Sequence, residues 1–270
     1  MQPFSDQPAG PARRKRAAHE GGTSSPDFIT ALARGLDILR AFSQSGGPLG
    51  NLELARATGL PKPTISRITY TLIQLGYLRY HTDTGKYSPG HAALALGFGL
   101  LAGLEVRELA KADMSALAAQ TGGAVALGTF DGDAMVYVEA IHGSSALYLR
   151  LPVGYRASLD TAMGRAHLAG LSEAQRGELI KQMGARAPAQ ALIDGALADM
   201  QATGCCFAIG QWLSGINAAA VPFTSLTGEG RFVLSCGGPA SLLSETMLRE
   251  QVAPALRQIA ARLSGAGAPG

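Results

Sequence analysis

The segment from Leu49 to Gly76 constrains the fold of this chain more than any other. Asn51 can cap a short helix that ends at Gly59, because an Asn side chain accepts hydrogen bonds from the first turn and glycine suits the left-handed helix end. Another helix then begins at two prolines, Pro61 and Pro63, which are harmless where an N–H would have no partner. An apolar face follows, formed by Ile65, Ile68, Leu72 and Leu75. The segment predicts two helices joined by a tight turn.

The sequence on either side completes a winged helix-turn-helix. Before the segment, Leu32, Leu36 and Leu39 recur at spacings of four and three, which predicts a helix from about residue 28 to the glycines at 46–47. After it, residues 77–80 and 86–88 flank an Asp-Thr-Gly turn and predict a short β-hairpin. In such a module the last helix can enter a DNA major groove while the helix before it crosses the backbone.

The charge distribution favours a polyanionic partner for the N-terminal third. Residues 1–90 contain 11 Lys and Arg against 6 Asp and Glu, although the whole chain has a net charge of only +3. A basic run at 13–16 lies in a tail rich in Pro, Gly and Ser, which predicts disorder. The remainder of the chain is mildly acidic, so the basic part is expected to meet double-stranded DNA.

The residues predicted to contact DNA are polar, basic or exposed positions of this module. Lys62 and Arg67 can bind phosphates or guanine edges, and the hydroxyl groups of the same helix can bond to either. The full set is Arg34, Lys62, Pro63, Thr64, Ser66, Arg67, Thr69, Tyr70, Arg79 and Lys86. Two alternatives remain open: these residues form only the solvated face of a helix, or the module binds a protein partner.

The rest of the chain predicts an α+β fold. Residues 91–121 are expected to be largely helical, and strands then alternate with helices. The predicted strands are 124–129, 135–140, 146–151, 205–209, 216–223 and 231–236, and the predicted helices are 161–168, 172–183 and 189–200. A last helix passes through Leu256, and Pro254 is expected to kink it. Such an order of elements indicates a mostly antiparallel sheet.

Several function classes find no support in the sequence. It contains no nucleophile elbow, P-loop or zinc-protease motif, so the chain is expected not to be an enzyme and to use no cofactor or metal. The alternative is a hydrolase or transferase with an appended helical module. No run of eighteen apolar residues and no apolar signal core occur, which predicts a cytoplasmic protein without a membrane span. The three cysteines form no CxxC pair, but the adjacent Cys205 and Cys206 leave a redox-sensor reading open.

Residues 28–265 resemble the IclR family of bacterial regulators. The matching motifs are ARGLDIL at 33–39, GLPKPTISR at 59–67, GKYSPG at 85–90, GYR at 154–156, TAMGRA at 161–166, GINAAAVP at 215–222 and SCGGP at 235–239. Composition predicts a disordered basic tail at 1–26. The resemblance implies a winged helix-turn-helix domain at 27–90, a linker helix at 91–104 and a GAF-like α+β effector-binding domain at 105–265. It also implies a homodimer or dimer of dimers on a partly palindromic operator.

The expected effector site lies at the start of the helix that follows Thr161. Backbone N–H groups of a first helical turn lack partners and suit a carboxylate, and the resemblance implies small organic acids at the same place. The expected site residues are Leu147, Leu149, Leu151, Thr161, Ala162, Met163, Ala208, Trp212, Ala218 and Ser235.

The region from Ala208 to Ala218 departs from the family pattern. Many relatives have acidic residues before the glycine that matches Gly215, and Cys where Ala218 stands. Both differences remove polar groups, while Trp212 adds aromatic surface. We therefore expect a flatter and more apolar effector, such as an aromatic acid. The alternative is that Trp212 belongs to an ordinary core or interface.

Overall fold

A computed structural model describes residues 26–143 and 151–266 of the chain. The chain divides into two compact units, one ending at His91 and the other beginning at Ala92. The first unit contains α1 (Thr30–Ser45), α2 (Asn51–Thr58), α3 (Lys62–Gln74), β1 (Leu78–His81) and β2 (Lys86–Pro89). β1 and β2 pair antiparallel and form a wing behind three helices. This is the predicted winged helix-turn-helix.

Apolar side chains from all five elements form the core of the first unit. Ile38 of α1, Leu54 of α2 and Ile65 of α3 are fully buried, and Leu78 and Tyr87 bring the wing into the same cluster. The wing is also tied to the chain before α2, because Leu49 and Tyr87 exchange two backbone hydrogen bonds of 3.0 and 2.8 Å. The position of the wing is therefore fixed by both packing and backbone pairing.

One sequence prediction for this unit is wrong, and one apolar face lies in an unexpected place. Asn51 is the first residue of α2 rather than its cap, and the Gly50 N–H donates to the Glu53 carboxylate instead. The apolar face that was read through Leu32 and Leu36 lies on the surface of the unit. The spacing of apolar residues identifies an apolar stripe but does not identify the surface that covers it. The residues of α1 that pack on α2 and α3 are Ile38 and its neighbours in the core cluster.

The second unit begins with two helices and is built on one curved antiparallel sheet. α4 covers His91–Ala102 and α5 covers Glu105–Thr121. The strands are β3 (Ala124–Phe130), β4 (Met135–His142), β5 (Arg156–Ala157), β6 (Cys206–Ile209), β7 (Ile216–Thr224) and β8 (Arg231–Pro239). Their order in the sheet is β5-β4-β3-β8-β7-β6, and every neighbouring pair is antiparallel. This is the predicted α+β fold.

Helices cover both faces of the sheet. On one face α5 packs with the C-terminal helix α10 (Ala253–Leu263), and on the other lie α6 (Ala162–Gly170), α7 (Glu173–Met183) and α8 (Gln190–Thr203). Alternate strand residues point to opposite faces. Accordingly Leu127 and Leu234 belong to the α5 side, and Ala126 and Val233 belong to the α6 side.

The last helical region deviates where a kink was predicted. The short α9 (Glu245–Met247) runs into a π-helical turn at Leu248–Val252, and α10 then begins with Pro254 in its first turn. A proline has no N–H to donate, so a wider turn before it relieves the missing bond. The predicted strand at 146–151 falls largely outside the described residues, and the short strand β5 was not predicted.

Candidate functional site

One face of α3 is free of packing within its unit. Pro63, Ser66, Arg67 and Tyr70 recur at helical spacing and are all exposed, and we call these four residues the reading face. Tyr70 is 65% exposed, which is unusual for a large aromatic side chain on a helix. Ile65 and Leu72 are buried on the opposite side.

The start of α3 is set by local sequence. Gly59 ends α2 with a φ of 69°, a left-handed conformation that glycine adopts without strain. Pro61 then takes an extended conformation as the residue before the helix, and Pro63 lies in the first turn. This short turn presents the N-terminal half of α3 on the surface, which is where helix-turn-helix proteins contact base edges.

Thr69 does not lie on the exposed face, and that prediction is wrong. Its side chain is only 1% exposed, and its hydroxyl donates a 2.9 Å hydrogen bond to the backbone oxygen of Ile65. Thr69 continues the buried stripe of α3, which runs through Ile65 and Leu72. A polar residue type was mistaken for a polar position. Thr64 is half-buried, at the edge of the reading face.

The basic residues predicted to contact DNA differ in their availability. Arg34, Lys62, Arg67 and Arg79 are exposed and form no ion pair with any described residue. Lys86 instead lies 2.7 Å from the Glu53 carboxylate. The hydrogen bond from Lys86, followed by that from the Gly50 N–H, lowers the pKa of Glu53. Lys86 therefore joins the wing to α2.

A cavity lies between the sheet of the second unit and α6. Strand register places two rows of residues side by side across the sheet, one running through His142, Ala124, Gly237, Ala218 and Ala208, and the other through Ala140, Ala126, Ser235, Ala220 and Cys206. Nearly all of these side chains are small, so the sheet leaves open space beneath α6. We call the part of the two rows that lines the cavity the small-residue floor: Ala124, Ala126, Ala140, His142, Ala208, Ala218, Ser235 and Gly237.

Larger side chains form the walls of this cavity. Tyr137 and Tyr155 meet edge to face with ring centroids 5.5 Å apart, and Leu151, Met163 and Trp212 complete the apolar surface. Burial, and then the neighbouring Tyr155, raise the pKa of Tyr137, which keeps its phenol protonated. The lining residues in the described part of the chain include no Asp, Glu, Lys or Arg.

The cavity has room for a small molecule. Its volume is about 80 Å³ on a scale where one water needs roughly 10–15 Å³. That is space for roughly five to eight waters.

The N-terminus of α6 closes one end of the cavity. Thr161 caps the helix, because its hydroxyl oxygen accepts the Gly164 N–H at 3.1 Å while the hydroxyl donates to the Ser158 oxygen at 2.8 Å. Ala162 and Met163 line the cavity from the first turn, where backbone N–H groups have no acceptor inside the helix. Backbone N–H groups in such a position are able to donate hydrogen bonds to an anion.

Two glycines allow this helix start to approach the sheet so closely. A side-chain carbon on Gly128 would collide with the sulfur of Met163, and one on Gly164 would collide with the backbone of Leu159. Gly128 also follows an irregularity in the pairing of β3 with β4. The position of the first turn of α6 is thus held from both sides.

The structure brings most of the predicted effector residues together. Leu151, Thr161, Ala162, Met163, Ala208, Trp212, Ala218 and Ser235 all line the cavity, while Leu147 and Leu149 lie outside the described residues. The sequence reasoning missed Tyr137, Tyr155 and the floor residues of β3 and β4. The signal for the floor was present as alternate small residues in several strands, but it becomes evident only once the strands are paired.

The remaining chemistry-bearing residues are buried or isolated. Burial raises the pKa of Cys205 and of Cys236 to about 11 and also raises that of Cys206, so all three remain thiols with little nucleophilic character. Within 26–143 and 151–266, no three His, Cys, Asp or Glu side chains come close enough to hold a metal ion. No helix in the described part of the chain is both long and apolar enough to cross a bilayer.

Comparison with known proteins assigns both units. Residues 31–82 match the family model of the IclR helix-turn-helix domain, and residues 98–265 match that of the bacterial transcriptional regulator IclR C-terminal domain. The chain is 32% identical over 251 residues to the HTH-type transcriptional regulator TsaQ1/TsaQ2 of Comamonas testosteroni, covering 89% of this chain and 88% of that one. It is 26% identical to the Pca regulon regulatory protein of Pseudomonas putida, covering 92% and 86%.

Solved structures give the same result. An IclR family transcriptional regulator from Brucella abortus matches with a TM-score of 0.80 and 35% identity, over 92% of this chain and 96% of that one. An IclR homologue from Microbacterium hydrocarbonoxydans, complexed with 4-hydroxybenzoate, shares the fold with a TM-score of 0.66 at 21% identity, over 87% and 98%. The two family models together cover most of the chain, and the chain belongs to the IclR family of DNA-binding bacterial transcriptional regulators.

Proposed function

We propose that this regulator binds its operator under the control of a small aromatic acid held in the cavity of the second unit. The observation that carries the proposal is the cavity itself, whose described lining contains no Asp, Glu, Lys or Arg. It has a small-residue floor and aromatic walls, and it ends at the N-terminus of α6. These features call for a flat apolar body with one anionic end.

The anionic end would sit at the first turn of α6. The N–H groups of Ala162 and Met163 can donate to a carboxylate, and the helix dipole favours a negative charge there by about 0.3–2 kcal/mol. Because the described lining has no acidic or basic side chain, a second charge on the ligand would find no partner. A monocarboxylate therefore fits better than a dicarboxylate or an amine.

The apolar end would lie over the small-residue floor. An aromatic ring can pack flat on alanine and glycine, and Tyr137, Tyr155 and Trp212 offer edges and faces of the kind that aromatic rings pack against. A short aliphatic acid would leave much of this surface uncovered. The ligand bound to the Microbacterium homologue, 4-hydroxybenzoate, has the same chemistry and makes a suitable probe.

Calorimetry with four acids tests this proposal. Benzoate and 4-hydroxybenzoate are expected to bind at least about tenfold more tightly than pyruvate and glyoxylate, since each additional buried methylene-sized group contributes about 0.8 kcal/mol. Filling the floor with Ala218→Leu should abolish binding of the aromatic acids. Ala198→Leu, the same substitution at an exposed position of α8, is the matched control. Tighter binding of the two short acids would refute the aromatic assignment.

We also propose that the working form is a homodimer, or a pair of dimers, on a partly palindromic operator. α4 contributes no buried residue within the described chain, yet Leu94, Leu96, Phe98 and Leu100 are all apolar and exposed. Ile29, just before α1, forms a second exposed stripe with Leu32 and Leu36 of that helix. Apolar surface of this extent is usually covered by a partner, and a second copy is always available.

Sedimentation analysis tests the dimer. Leu96→Glu should shift the wild-type dimer toward monomer, because a charge would be buried in the interface. Leu226→Glu, at an exposed residue of the β7–β8 turn, should leave the mass unchanged. A wild-type protein that sediments as a monomer at micromolar concentration would contradict the proposal.

Two rival functions are separable by experiment. If the module bound a protein partner, affinity for duplex DNA would be weak and would depend little on salt. A DNA contact should instead lose affinity steeply as salt rises, with a slope of about 0.9 for each phosphate contacted. An enzyme activity in the second unit would require a nucleophile beside an oriented base, and no Asp or Glu in the described lining of the cavity is present to orient His142.

A further inference from the structure

The reading face contains one cation with the geometry for base recognition. Arg67 is the sixth residue of α3, is exposed and forms no ion pair with any described residue. Its planar fork can donate two parallel hydrogen bonds to O6 and N7 of a guanine, which is the commonest specific contact in the major groove. Lys62 lies at the first position of α3 and carries a single rotatable charge, which suits a phosphate.

Next to Arg67, Ser66 has a defined hydrogen-bonding direction. The side-chain amide of Asn51, at the start of α2, donates to the Ser66 hydroxyl oxygen at 3.3 Å. Because that oxygen already accepts one bond, the Ser66 proton remains available to donate away from α2. Acceptors on base edges in the major groove are guanine O6 and N7, adenine N7 and thymine O4. Ser66 is thus prepared to select an acceptor.

We infer that Arg67 and Ser66 determine the base sequence of the operator half-site, and that Asn51 is the positioning residue that orients Ser66. Arg67 reads a guanine, and Ser66 reads an acceptor on a neighbouring base pair. Lys62 and Arg79 contribute affinity without sequence preference. This inference rests on DNA binding by the first unit and adds which residues carry specificity.

Selection from a random duplex library with the full chain tests the inference. The wild-type protein should enrich a half-site containing a guanine, and Arg67→Ala should reduce the preference at that one base pair by about 5- to 150-fold. Arg67→Lys keeps the charge but loses the fork, so it should lose the same preference while keeping the salt dependence of binding. Lys62→Ala should instead lower the affinity evenly for all sequences and reduce the salt slope by about 0.9.

Two further variants test the role of Asn51. Ser66→Ala should weaken the base preference at a position adjacent to the guanine. Asn51→Ala should weaken the preference at that same position, while the preference for the guanine persists. A general loss of stability would not move the preference at a single position, so this readout separates positioning from folding.

The outcomes distinguish this inference from the broader function. If the wild-type protein enriches a sequence and Arg67→Ala retains every base preference, the assignment of Arg67 is refuted. If Asn51→Ala leaves the base preference at the position read by Ser66 unchanged, the positioning role is refuted. If the wild-type protein enriches no sequence at all, sequence-specific DNA binding by this chain is itself contradicted.

Discussion

His167 of α6 should make the stability of the second unit depend on pH. It is only 7% exposed, and its ring stacks on Phe130 with centroids 4.5 Å apart. Burial, together with the charge of Arg231, lowers the pKa of His167 from 6.5 to about 4. In the unfolded chain the imidazole regains its ordinary pKa. Between these two values the unfolded state therefore binds a proton that the folded state does not.

The sign and size of the effect follow from this difference. A folded pKa below the unfolded one means that stability falls as pH falls below about 6.5, and the loss is complete only below about pH 4. Between pH 7 and pH 5 we expect a loss of about 2 kcal/mol from His167 alone. Carboxylates titrate mainly below this window, so the histidine contribution can be isolated.

Urea unfolding at pH 7 and pH 5 measures the loss. The matched control is His167→Phe, which keeps a ring against Phe130 but has no proton to bind. The wild type should lose about 2 kcal/mol more than His167→Phe over this interval. Equal losses in the two proteins would refute the reasoning, because they would show that His167 titrates alike in the folded and unfolded states.

Three further predictions concern the site and its supports. Thr161→Ala removes the cap of α6 and should cost about 1 kcal/mol of unfolding free energy, measured by urea unfolding, together with affinity for the aromatic acid. Thr69→Val keeps the volume of a buried side chain, so it should leave operator base preferences unchanged in the selection experiment, whereas Ser66→Ala should alter them. Glu229 accepts the N–H groups of Glu105 and Val106 at the start of α5, so Glu229→Ala should speed amide hydrogen exchange in that turn, and unchanged exchange would contradict the cap.

Much of the first unit could be predicted from sequence because its signals are local. The glycine at 59, the prolines near the start of α3 and the spacing of Ile65 and Leu72 lie within a few turns of the structures they determine. Thr69 was predicted to be exposed because it is a polar residue, although its angular position on the helix indicates burial. Its position four residues after Ile65 already placed it on the buried stripe.

The cavity could be predicted only in part, because it depends on contacts between distant segments. The cap at Thr161 is a local signal, and the residues next to it in the chain were found. The small-residue floor arises because Ala124 of β3 pairs with Gly237 of β8, which pairs with Ala218 of β7, and β3 lies far from the other two strands in sequence. No periodicity within a single strand reveals that register. Tyr155 was missed for the same reason, since its contact with Tyr137 depends on the pairing of their backbones, in which the Tyr137 N–H donates to the Tyr155 oxygen.

The exposed leucines of α1 and α4 show a further limit on what apolar spacing in a sequence can predict. Their spacing correctly indicates amphipathic or apolar helices, but the described chain does not bury them. An apolar pattern predicts that a surface is buried, but it does not identify the molecule that buries it. Only the structure separates a stripe that enters the core, as at Ile38, from one left for a partner.

The central claim is that an acid in the cavity changes the affinity of this protein for its operator. The most direct test is a fluorescence anisotropy titration of the selected operator duplex at fixed salt, with and without each acid at saturation. The aromatic acid that binds most tightly should change the operator Kd by at least about fivefold, which corresponds to a coupling of about 1 kcal/mol. Ala218→Leu should keep the operator affinity of the free protein and lose the response. An operator Kd that no acid of the panel changes would contradict the account.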